Sequence, residues 1–135
     1  MKKITVFENE CSTMVYYPDE KIIHNIFRGQ PTGDIFRDAL NAGVETMEKY
    51  GATKWLSDDL ENKSVFSAED DKWARVDWLP RMVKVGWKTW AMAVPQQIEG
   101  RMNVKEIVEN IFSKGVRVMV FTNIDEALEW LINVK

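Results

Sequence analysis

The chain has one histidine, one cysteine and a dense run of carboxylates, and these limit the chemistry it can attempt. Ser57-Asp58-Asp59 leads into residues 58–71, where Asp58, Asp59, Glu61, Glu69, Asp70 and Asp71 face a single base, Lys63. Carboxylate oxygens suit a hard cation. No glycine follows an Asp-x-Asp pattern, however, as an EF-hand loop would require. The plainer account is a solvated loop plus a helix N-terminus, where acids are favoured. General acid–base catalysis would need two carboxylates in one cleft. Asp58 and Asp59 are expected just past the C-terminal end of a strand, where open α/β sheets bind ligands. Their location is suggestive, but no reaction is specified.

Nucleophilic chemistry has less support. His24 sits in an apolar strand pattern, KIIHNIF, as a hydrogen-bonded strand histidine would. A Cys11–His24 pair across a hairpin would lack an orienting acid at a recognisable spacing. Neither G-x-x-x-x-G-K-[ST] nor G-x-G-x-x-G occurs. Arg28 to Gly33 leads into a helix whose amides could hold an anion. No catalytic constellation emerges, so the expectation is a protein that is not an enzyme and uses no cofactor or metal.

Five of the six tryptophans fall within residues 54–90. Trp90 lies in an apolar strand and reads as core. Trp73 and Trp78 are five apart and do not share one α-helical face. One is therefore expected in the core and the other toward a groove or partner, with Arg81 and Lys84 near enough to stack or pair. Residues 72–88 carry five bases and one acid, the reverse of 58–71. That layout suits intramolecular pairing or a charge-complementary protein contact.

The elements that must position these residues are readable. Residues 3–7, 13–17 and 21–28 are strands, with a turn at Pro18–Lys21. Thr32 is placed to cap a helix over 33–50 that Gly51 ends. A short strand at 52–57 precedes a polar, irregular stretch, 58–67. Ser67 with Asp70 resembles a capping box opening the next helix, and Pro80 is expected to kink or restart it near Trp78. Residues 88–94 form a central strand. Asn103 with Glu106 caps a helix ending at Gly115. Residues 116–121 are a strand, and Asn123 with Glu126 caps a last helix. Strands alternating with helices after a leading hairpin imply an α/β sandwich, parallel in its later strands with an antiparallel edge.

The 135 residues fit one domain, with a formal net charge of -3 that argues against nucleic acid. A lone cysteine fits a reduced, cytoplasmic setting. The N-terminus does not read as a signal peptide, and no apolar run reaches membrane-spanning length.

That order resembles the SpoIIAA-like (STAS-like) family of small bacterial α/β proteins. The matching features are FRG (27–29), KYG (49–51), WLSD (55–58), DDKW (70–73), DWLPR (77–81), WAMAVP (90–95) and VMVFTNIDEALEWL (118–131). The resemblance implies a single two-layer sandwich over 1–135, with a mixed sheet of four to five strands and about four helices. It also implies regulation by protein–protein contact. In anti-sigma-factor antagonists of the STAS type, a kinase-phosphorylated serine starts the helix after the central strand. Here Ser57 is followed by Asp58 and Asp59, whose charge disfavours a phosphate, and the Asp-Ser-Ser-Gly signature is absent. The expected contact surface comprises Ser57, Asp58 and Asp59 as polar contacts and Trp73 or Trp78 as aromatic anchor, beside Arg81. Its partner would be another protein or a second copy of the chain. The alternative, by analogy with CRAL-TRIO lipid carriers, is a carrier or sensor of a small apolar molecule or lipid in a tryptophan-walled pocket.

Overall fold

The computed structural model describes residues 1–64 and 67–135. Its sheet runs in sequence order, from β1 (Ile4–Glu8) and β2 (Ser12–Tyr17) through β3 (Ile22–Gly29), β4 (Lys54–Asn62) and β5 (Thr89–Ala93) to β6 (Arg117–Phe121). The first three strands form an antiparallel meander, and β3 to β6 are parallel. This is the mixed α/β arrangement expected, with six strands instead of four or five.

Parallel neighbours need crossovers, and crossovers are right-handed. Every step here moves the same way across the sheet, so one hand places the crossover helices on one face. These are α1 (Gly33–Tyr50), the segment α2 (Ala68–Trp73) to α3 (Leu79–Lys84), and α4 (Gln96–Glu99) with α5 (Val104–Phe112). The last helix, α6 (Ile124–Asn133), folds back on the other face, against β4 and β5. The sheet therefore has helices on both sides, which corrects the two-layer expectation. Strand pleating separates two cores. Met14, Tyr16, Ile23, Phe27 and Trp55 join α1 and α3 residues in one. Val15, Tyr17, Ile22, Leu56, Ala91 and Ala93 join Ala127 and Leu131 of α6 in the other.

Helix α1 crosses the sheet closely enough that a Cβ on Gly43 would lie 2.5 Å from the Trp55 ring. Gly51, at φ 66°, ends the helix in the left-handed conformation that glycine adopts without strain. Ser67, Asn103 and Asn123 accept the expected capping hydrogen bonds from Asp70, Glu106 and Glu126 amides. Thr32 occupies the N-cap position of α1 but makes no side-chain bond. Asp70 of α2 does the work, accepting from Gly33 N at 3.0 Å and pairing with Arg37. The anion-binding helix start suggested by Arg28–Gly33 thus already holds an anion, the Asp70 carboxylate.

One stretch departs from expectation. Residues 58–62 are strand, because β4 continues beyond Ser57 and pairs with Arg28 and Gly29 of β3. Around Pro80 the expected restart is seen, with α3 beginning at Leu79. Between α2 and α3 the chain makes a π turn, Ala74–Trp78, with Leu79 N bonding to Ala74 O. The wider turn accommodates a ring that would clash with the preceding carbonyl of an α-helix. It also places residues five apart nearly above one another, so Trp73 and Trp78 both turn toward α1. Among the described residues, no helix is long and apolar enough to cross a membrane.

Candidate functional site

The parallel strands present alternate side chains to the α1–α2 face. On β3 these include Asn25 and Phe27, on β4 Trp55, Ser57 and Asp59, and on β5 Trp90 and Met92. Phe36 and Leu40 of α1, Asp71 of α2, and Ala74 and Trp78 of the following turn close over them. They line a partly open cavity of about 260 Å³ between the sheet and these helices.

Three of the lining side chains are indoles, Trp55, Trp78 and Trp90. Trp55 and Trp78 meet edge to face at 5.7 Å, and Trp87 continues the row to Trp90 at 5.5 and 5.1 Å. Trp78 is buried and donates its Nε1 hydrogen to Leu40 O at 2.8 Å. It is a wall of the cavity and not a surface anchor. Trp73 is half-buried, with Arg37 and Arg81 over its ring at 5.3 and 5.9 Å. Arg81 is fixed in turn by Asn41 at 2.6 Å and by Asp77. Trp90, expected in the core, is only half-buried because it lines the cavity.

Ser57 holds two of the indoles. Its Oγ accepts from Trp55 Nε1 at 2.9 Å and Trp90 Nε1 at 2.8 Å. Both lone pairs are then in use, and the hydroxyl proton has no acceptor among the described residues. Ser57 is mid-strand and not at a helix start, so a phosphate there would displace both indoles. Opposite Ser57 in register lies Asn25, 2% exposed. Its Oδ1 accepts from Ser12 Oγ at 2.6 Å, and its Nδ2 has no partner among the described residues. Asn25 lines the cavity, as Ser57 does.

Asp59 is the cavity's partly buried carboxylate. Burial pushes it up to about 6, a hydrogen bond from Asn62 Nδ2 (3.0 Å) opposes that rise, and the Asp58 charge adds to it. Asp58 faces the other side of the sheet, where its Oδ2 lies 2.9 Å from His24 Nε2. His24 Nδ1 meets Tyr17 Oη at 3.0 Å, making a buried Tyr17–His24–Asp58 chain. Burial, then the Asp58 and Glu20 charges, raise the Tyr17 phenol. His24 is thus a satisfied strand histidine. Cys11 is not its partner, since it pairs through its carbonyl with Arg28 N, at the other end of β3.

The six nominated residues therefore divide. Ser57, Asp59 and Trp78 converge on the cavity. Asp58 is a structural partner of His24, and Trp73 and Arg81 form an arginine–indole stack outside the cavity. One ion pair, Asp71–Arg75, joins the acidic run to the basic run; Asp70 pairs with Arg37 of α1, and Asp77 with Arg81 inside the basic run. Among the described residues, no cluster of histidine, cysteine, aspartate and glutamate is arranged for a metal. Sequence reading missed Asn25, although its place beside His24 in a two-residue alternation puts it on the opposite face. No protein-family model, curated protein or solved structure matches this chain.

Proposed function

We propose that this protein binds a small molecule in the tryptophan-walled cavity and acts as its carrier or sensor. The observation that carries the reading is the combination at one place of apolar walls and unpartnered polar atoms. Asn25 Nδ2 and the Ser57 hydroxyl proton both lack partners within it. Ligand sites are mostly apolar, with a few placed polar groups. The cavity lies a little below the roughly 300–1,000 Å³ of drug-sized sites and above the roughly 150 Å³ that holds benzene. A single ring with a short arm fits that range.

Regulation by protein contact, as the STAS-like resemblance implies, drew on Trp73 or Trp78 as an exposed anchor. Trp78 is buried and Trp73 is covered by two arginines, so the cavity is the better-supported site. The SpoIIAA-like fold remains a proposal that rests on the quoted motifs and the strand–helix order.

The test is a titration of intrinsic tryptophan emission with indole and 4-ethylphenol, on the wild type and on Ala74→Phe. Ala74 lines the cavity, and a phenyl ring there fills it. Saturable emission changes in the wild type, lost in Ala74→Phe, are expected. No change in the wild type, or equal binding by a folded variant, would show that the cavity is not a ligand site.

A further inference from the structure

The polar atoms around the cavity are ordered, and their order describes a ligand. Asn25 and Ser57 are register partners on adjacent strands. Each offers a hydrogen with no acceptor among the described residues, so one ligand oxygen can take both. Asp59 lies two residues further along β4 on the same face, a rise of roughly 7 Å. It offers a carboxylate oxygen beyond the one that Asn62 occupies. Asp71 adds a second carboxylate to the lining, and no lysine, arginine or histidine lines the cavity.

We propose that the ligand is a small aromatic amine, protonated, with an oxygen acceptor at the end remote from its ammonium group. The oxygen accepts from Asn25 and Ser57, the ring lies among Trp55, Trp78 and Trp90, and the ammonium faces Asp59. This rests on the reading of the cavity as a ligand site and adds the ligand's charge and polarity. The physical case is the sign of the field. A carboxylate ligand would meet the Asp59 carboxylate with no base in the lining, while Asp71 and Asp58 already have Arg75 and His24 as partners. A cation meets Asp59 favourably, and indole faces attract it as well. Ionised Asp59 is disfavoured while the cavity lacks a counter-charge, and an ammonium supplies one.

Four matched compounds test this by calorimetry and tryptophan emission: tyramine, 2-phenylethylamine, 4-ethylphenol and 3-(4-hydroxyphenyl)propanoate. Tyramine is expected to bind tightest. Loss of its amine, in 4-ethylphenol, is expected to weaken binding about tenfold. Loss of its hydroxyl, in 2-phenylethylamine, weakens it less, and the propanoate binds worst. In Asp59→Asn the advantage of tyramine over 4-ethylphenol shrinks toward unity. Tyramine's own affinity falls as the pH drops through about 6, where Asp59 protonates. Equal binding of tyramine and 4-ethylphenol to the wild type overturns the charge assignment and leaves the cavity as a ligand site. Tightest binding by the propanoate does the same. Failure of all four compounds to bind overturns both readings.

Discussion

Asp58 and Asp59 are consecutive in sequence and face opposite sides of the sheet, one bonded to His24 beneath α6 and the other lining the indole cavity. Strand alternation alone separates them. The two carboxylates therefore have opposite energetic signs. Asp58 has a buried partner, whereas Asp59 sits where its charge is poorly solvated.

The first prediction concerns Asp59. Its folded-state value, about 6, is raised above an ordinary 3.8. Below the ordinary value both folded and unfolded chains hold the proton, so no penalty exists. Between the two values the folded chain binds the proton more tightly, and stability falls as pH rises. Above about 6 the penalty is complete, on the order of 3 kcal/mol at most. Asp59→Asn is therefore expected to stabilise the protein at neutral pH, by about 1–3 kcal/mol. It should also flatten the decline between pH ~4 and ~6. Urea denaturation of both proteins across that range checks it. A variant less stable at neutral pH, with the wild-type slope retained, would contradict the assignment.

The second prediction is the mirror case. Asp58→Ala leaves His24 Nε2 without its partner in a buried site, and His24→Ala strands the Asp58 carboxylate. Each is expected to cost about 2–4 kcal/mol. The double variant should cost less than the sum, because only the first removal leaves an orphan. Chemical denaturation in a double-mutant cycle measures the coupling, and strict additivity would mean that the pair contributes nothing.

These two residues also show how far the sequence was legible. Helix α1, the antiparallel start, the parallel later strands and three caps followed from periodicity and turn chemistry. The end of β4 did not. Acids are depleted from strands, so Asp58, Asp59 and Glu61 read as loop. What makes them strand is tertiary: a histidine one strand away for Asp58, and pairing of Glu61 and Asn62 with Arg28 and Gly29 across a bulge. The choice between Trp73 and Trp78 stays open in the sequence for a related reason: Trp78 is the core residue and Trp73 the half-buried one beside Arg81. A spacing of five points to different faces only in an α-helix, and the π turn changes the period. The cavity was half visible, in its tryptophans and in Ser57 and Asp59. Its closure depended on α1 lying over β3 and β4, which local pattern does not encode.

The third prediction tests that closure. Gly43→Ala puts a methyl 2.5 Å from Trp55 ring atoms that are themselves fully buried. Alanine gains up to about 1 kcal/mol of helix propensity over glycine. Overpacking a rigid core costs about 1–3 kcal/mol, and the indole has no flexible end to move. A net loss of stability is expected, with partial recovery when Trp55→Leu shortens the opposing side chain. Thermal unfolding of the two single variants and the double variant decides it. A Gly43→Ala variant as stable as the wild type would show that α1 can lift without loss.

The fourth prediction separates the nominal cap of α1 from the real one. Thr32 holds the N-cap position without a side-chain bond, whereas Asp70 accepts from Gly33 N and pairs with Arg37. Thr32→Ala is expected to change stability by less than about 0.5 kcal/mol, the range of surface substitutions without such features. Asp70→Ala is expected to cost about 1–2 kcal/mol, because it removes the acceptor that caps the start of α1 and the ion-pair partner of Arg37. Asp70 also joins the start of α1 to the helix that carries Ala74 and Trp78. Its loss should therefore loosen the cavity wall as well as the cap. Hydrogen exchange reports this directly, through faster exchange of the first-turn amides of α1 and of residues 74–78 in Asp70→Ala, and no change in Thr32→Ala. The reverse pattern would restore the cap to Thr32 and detach α2 from the cavity's architecture.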